Sequence, residues 1–190
     1  AGLVALSAAS WPETAADDVV PPLAGFIESP FSPLLAEVAV RALRRRPDRP
    51  GPVGLPGPPG GLPGPPGLGP APAPVTAIVI VTALGDTVSA TRVAAAVDAG
   101  KRVSPLLFFQ SVPNAVAGYL AARWDLTGPV VCVSGMSAGL GIAALLIDDA
   151  DADEALVLRI DLAGAGDGLD RGAAVVVTRP DRNVPVPLTA

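Results

Sequence analysis

The sequence predicts an α/β fold, a mostly parallel mixed sheet with helices on both faces. Three observations carry that expectation. The uncharged β-branched runs at 75–83 (VTAIVIVTA) and 130–134 (VVCVS) suit strands buried on both sides. Segments bearing helix start and stop signals lie between them. From residue 75 onward strands and helices alternate, which favours parallel pairing under helical cover. At 190 residues the chain is long enough for one domain with a full core.

The elements follow in order. Residues 2–9 form a short apolar run suited to a strand, and a Pro- and Asp-rich loop comes next. Ser32-Pro33 opens a helix, with Ser32 as N-cap and Pro33 at the first helical position. Its apolar stripe is Leu34, Leu35, Val38, Ala39, Ala42 and Leu43, and it stops before Pro47. A central strand is expected over 75–83. Asp86 or Thr87 caps a helix that ends at Gly100. Ser111 and Pro113 open another that runs through Trp124. A second central strand follows over 130–134, a helix over 138–149, and strands over 155–162 and 173–178.

Residues 47–74 differ in kind. Gly-Leu-Pro-Gly-Pro-Pro-Gly occurs at 54–60 and again at 61–67, but Gly60-Gly61 breaks the every-third-glycine register that a collagen helix requires. The segment reads as a Gly/Pro-rich disordered insertion. One domain made of residues 1–46 and 75–180 therefore closes across it, and 181–190 form an irregular tail.

Composition excludes several functions. Thirteen basic against eighteen acidic side chains leave a net charge of −5, which argues against nucleic acid and against an anionic membrane surface as partners. The basic run Arg44-Arg45-Arg46 complements the C-terminal dipole of its helix. Residues 103–122 and 126–147 are uncharged and could imitate membrane spans. Internal prolines, glycines and polar residues divide them into shorter elements. The opening Ala1-Gly2-Leu3-Val4 shows no basic leader region, and the single cysteine, Cys132, permits no internal disulfide; both suit a cytoplasmic protein. Histidine is absent, which removes the commonest general base and leaves no metal site expected. No cofactor is expected either. The acidic run at 148–154 lacks the glycine and spacing of a calcium loop and reads as a solvated connection. Gly164, Gly166 and Gly168 imitate a phosphate loop without a helix to follow them.

The stretch from Val112, VPNAVAGYLAARWDLTGPVVCVSGMSAGLGIAALLI, resembles the centre of a β-ketoacyl synthase. Pro113-Asn114 opens a helix, Gly128-Pro129 precedes a strand, and that strand enters the tight turn Gly135-Met136-Ser137-Ala138-Gly139. The flanks resemble the rest of the family's N-terminal half, and the second half is missing. The resemblance implies a thiolase-like half-fold. A strand turning sharply into a helix exposes one side chain where the helix dipole and free N–H groups favour a thiolate or oxyanion. Counting from Gly128-Pro129, the position of the family's nucleophilic cysteine is held by Ser137, with one residue deleted just after it. Chain-length factors, the inactive partners of such synthases, also replace this cysteine, usually within a Gln-Ala-Gly stretch that Ser137-Ala138-Gly139 resembles. The family's two histidines belong to the absent half.

Ser137 is thus the one catalytic candidate, as a degenerate nucleophile. A serine needs an adjacent base, and Asp148, Asp149 and Asp161 are poor substitutes for histidine. Cys132, inside the strand, is expected to be buried filler. The helix over 138–147, AGLGIAALLI, is apolar all round and needs cover on both sides. The expected partner is a ketosynthase-like protein, as a second copy or a full-length synthase, with an acyl carrier protein as a further candidate. The function expected is a non-catalytic ketosynthase-like accessory subunit of polyketide or fatty-acid-type biosynthesis. The alternatives are an acyltransferase using Ser137, and a homo-oligomeric scaffold or remnant without pathway chemistry.

Overall fold

The computed structural model describes residues 2–46, 73–163 and 168–180. Most of the Gly/Pro insertion, the 181–190 tail, Gly164 and Gly166 lie outside the described residues. The elements are β1 (Val4–Trp11), α1 (Phe31–Arg44), β2 (Thr76–Val81), α2 (Thr87–Asp98), α3 (Pro105–Gln110), α4 (Pro113–Trp124), β3 (Val130–Val133), α5 (Met136–Asp148), β4 (Glu154–Asp161) and β5 (Arg171–Thr178).

The five strands form one mixed sheet in the order β1-β5-β4-β2-β3. Strand β2 is parallel to both β4 and β3, whereas β5 is antiparallel to β4 and to β1. Four strands therefore run one way and β5 alone runs the other. Alternation along β2 divides the core. Ile78 and Ile80 face α1 and α4, packing with Leu34, Leu35, Val116, Leu120, Leu156, Leu158 and Val176. Ala77, Val79 and Val81 face α5, with Ala143, Ile147, Ala155 and Val157. Every residue of β2 is buried, as a central strand requires.

Close approaches rest on glycines. A Cβ on Gly139 would stand 2.5 Å from Cγ2 of Val81, so only glycine lets α5 lie this near β2. Gly128 is as tight, with Thr76 and Ala77 backbone atoms 2.6 Å from where its Cβ would be.

Three local expectations need correction. Strand β3 is an edge strand, not a central one, and its side chains alternate between exposed and half-buried. An uncharged run reports apolar content, not how many neighbours a strand has. Helix α1 begins at Phe31 with Pro30 as N-cap; Ser32 is buried inside the first turn, and the Phe31 N–H donates to Ser29 Oγ at 3.1 Å instead. A short helix, α3, occupies 105–110 with Ser104 accepting from the Leu106 N–H, and α4 takes Val112 as its N-cap without a side-chain cap from Ser111.

The loop after β1 is clasped to α1. Arg41 donates to both Asp17 oxygens, at 2.7 and 2.9 Å, and to Glu37 at 2.8 Å, with its guanidinium 4.6 Å from the Trp11 ring centroid. Arg45 donates to Glu13 and to the Ala8 carbonyl, and Arg46 to the buried Glu154. Two of the three arginines in the basic run thus bond to specific partners.

Candidate functional site

Strand β3 ends at Val133, and Gly135, with φ 91°, turns the chain into α5. That positive φ is open to glycine and strained for other residues. Gly135 provides no side-chain cap, so the first turn of α5 presents free N–H groups at the C-terminal edge of the sheet. Ser137, the second residue of α5, is exposed there. The turn expected from the sequence is in place, with Ser137 at its opening.

The base is not. Asp148 sits at the other end of α5, roughly 16 Å away at 1.5 Å per residue, where Arg179 bonds to it. Asp149 caps that same far end. Asp161 ends β4 and is ion-paired with Arg159 at 2.7 Å. No side-chain hydrogen bond joins Ser137 to a described residue. Among the described residues, the geometry therefore offers an oxyanion-friendly turn with no proton acceptor bonded to its serine.

Cys132 is exposed, which corrects the expectation of buried filler. It is registered opposite Ile80, and because β3 is the sheet edge its side chain has cover on one flank only. Desolvation by its neighbours pushes the thiol above its ordinary range, which disfavours the thiolate that would react.

A polar cluster that the sequence only hinted at, through the capping role of Asp86, lies between the start of α1 and the start of α2. Asp86 accepts from Ser29 Oγ at 2.6 Å, the Ser89 N–H at 3.0 Å and Ser89 Oγ at 2.7 Å. These bonds occupy both carboxylate oxygens, so the cluster works as a clasp between α1 and α2. Glu154 is likewise structural: it accepts from Thr76 Oγ1 at 2.8 Å and from Arg46 at 3.2 Å. The acidic run is thus not wholly a solvated loop. Among the described residues no group of three or more acidic or cysteine side chains could hold a metal ion, and no helix is long and apolar enough to cross a membrane.

Two apolar surfaces stand open. On α5, only Gly139, Ala143 and Ile147 are buried, while Ala138, Gly141 and Leu145 face outward, Leu145 at 52% exposure. The second surface is α3 and its flanks, where Phe108 is 65% and Phe109 58% exposed beside Leu106 and Val112. The apolar composition of 105–112 was visible in the sequence. Its exposure was not, because a run of six residues shows no period that separates an inner from an outer face.

No protein-family model matches the sequence, and no curated protein matches it. Solved structures do resemble it. A ketosynthase in complex with its chain length factor, from Xenorhabdus doucetiae, aligns with a TM-score of 0.59 at 17% identity, covering 85% of this chain and 63% of the matched chain. The ishigamide ketosynthase/chain length factor aligns at 0.48 and 21% identity, over 58% and 37% of the two chains. The 3-oxoacyl-[acyl-carrier-protein] synthase III of Aquifex aeolicus VF5 aligns at 0.41 and 17% identity, over 82% and 40%. The chain spans less than two thirds of the length of each structure it matches here. The likeness is one of fold: an open mixed sheet with helices, of the thiolase-like kind found in ketosynthases.

Proposed function

We propose that the chain is a non-catalytic, ketosynthase-like accessory subunit that associates with a ketosynthase partner in polyketide or fatty-acid-type biosynthesis. The observation that carries this reading is Ser137: it occupies the exposed turn at the start of α5 with no base among the described residues bonded to it. Such a turn retains the shape of a reactive site without its chemistry. The outward strip Ala138, Gly141 and Leu145 supports the docking half of the reading, since an apolar helix face left in water marks an association surface. The α3 aromatics and the short apolar edge β3 offer further contact area. A cytoplasmic setting and contact with an acyl carrier protein belong to the same proposal.

The test has two arms. Sedimentation of the purified chain, alone and mixed with a ketosynthase encoded beside it, reads association; Leu145→Asp is expected to weaken it at least ten-fold while leaving the chain folded. Incubation with an activated acyl thioester, followed by intact mass, reads chemistry, and no adduct is expected. An adduct lost in Ser137→Ala would instead establish the acyltransferase reading. Self-association without binding the synthase would favour the homo-oligomeric scaffold.

A further inference from the structure

A cleft of about 370 Å3 opens at the C-terminal edge of the sheet, bounded by Ser10, Pro12, Arg159, Asp161, Arg171 and Ala173. Ala155 and Val157 pack under α5, so alternation along β4 puts Arg159 and Asp161 on that same face. Arg171 is registered directly opposite Asp161, Ala173 opposite Arg159, and Ser10 opposite Ala173. Arg159, Ala173 and Ser10 thus form one row across the sheet, with Arg171 in the row beside it and the small side chains of Ser10 and Ala173 as a low floor.

The charges there do not cancel. Asp161 binds Nε of Arg159 at 2.7 Å, which fixes that guanidinium and leaves its terminal N–H groups without a described partner. Arg171 faces Asp161 across the ladder yet makes no ion pair with a described residue. Two guanidiniums and one carboxylate line the cleft, in a chain whose net charge is −5. The guanidinium fork matches the two oxygens of a carboxylate or phosphate. Ser10 adds a hydroxyl donor from the floor.

We propose that this cleft binds an oxyanion group, carboxylate or phosphate. Ser137 does not line this cleft, and the proposal does not depend on the accessory-subunit reading.

The experiment is an amide-resolved NMR titration of the full chain with inorganic phosphate and, separately, sodium acetate, with sodium chloride at matched ionic strength as the control. Saturable shifts are expected at Ser10, Arg171, Gly172 and Ala173, and the anion that saturates at the lower concentration identifies the preferred group. Arg171→Gln is expected to weaken binding about ten-fold or more. Arg171→Lys, which keeps the charge but not the fork, is expected to weaken it by less. Asp161→Asn is expected to tighten binding a few-fold by removing the competing carboxylate. Shifts no larger than those from chloride would overturn the proposal, as would undiminished binding by Arg171→Gln. If that variant does not fold, unchanged binding by both Arg171→Lys and Asp161→Asn overturns it equally.

Discussion

Helices α1 and α5 lie on opposite faces of one sheet, and their compositions promise the reverse of what they do. Helix α1 carries Glu37, Arg41 and Arg44 among its fourteen residues, yet ten are buried. Helix α5 carries one charge, Asp148, among its thirteen, yet only three are buried. The difference lies in what surrounds each. Around α1 the chain supplies the sheet below, α4 beside it, and a loop tied down by Arg41–Asp17 and Arg45–Glu13. Helix α5 packs chiefly on β2 and β4, with its outer side open. Burial therefore follows from how many layers surround a helix, not from its composition alone.

The largest expected effect tests the closed face. Leu34 is wholly buried and reaches within 3.2 Å of where a Cβ on Gly172 would stand. Leu34→Ala is expected to cost about 2–5 kcal/mol by denaturant unfolding, the range for a leucine deleted from a packed core. The matching change on the open face, Leu145→Ala, is expected to stay within about 1 kcal/mol for the isolated chain. Equal losses at the two sites would mean that the outer side of α5 is already covered in the free protein, and the contrast between the two faces would fail.

Gly139 sharpens the same contrast from beneath α5. The inner side of this helix is as tightly packed as anything around α1, since a methyl at Gly139 would collide with Val81. Gly139→Ala is expected to destabilise by about 1–3 kcal/mol, the usual cost of overpacking, despite the better helix propensity of alanine. A stabilised variant would show that α5 can lift from the sheet, and would locate the looseness of this face in the helix–sheet contact as well as in the open outer strip.

Much of this architecture was legible in the residues. The β-branched run at 76–81 fixed the central strand, Asp86 announced the start of α2, and Gly135 with Ser137 marked the turn into α5. The all-apolar character of α5 called for cover on both sides, and the structure supplies it on one. What stayed hidden depended on long-range neighbours. Val130–Val133 reads like an interior strand, and only its place at the end of the strand order shows that Cys132 is exposed. Leu106, Phe108 and Phe109 read like core. The Ser29–Asp86 bond joins residues 57 apart, and Arg159 meets the Arg171 strand only through the register of β4 on β5. Pattern reports what each segment can bury; pairing decides what it does bury.

The smallest expected effect is electrostatic and belongs to the α1 side. The hydrogen bonds from Arg45, and then the Ser10 N–H, hold the Glu13 carboxyl near a pKa of about 2, below its ordinary 4.5. A carboxylate depressed in this way stabilises the fold fully above pH 4.5, and that contribution is lost as pH falls through about 2. Because the pair is solvent-accessible, Arg45→Ala should cost no more than about 1 kcal/mol at pH 6. The gap between parent and variant should then narrow in unfolding measurements as the pH is lowered from 4.5 towards 2. It should not close entirely, since Arg45 also donates to the Ala8 carbonyl, which does not titrate in this range. A gap that held constant across that window would assign the whole effect to the carbonyl bond. The loop would then be fastened to α1 by backbone geometry, with the Glu13 charge contributing nothing.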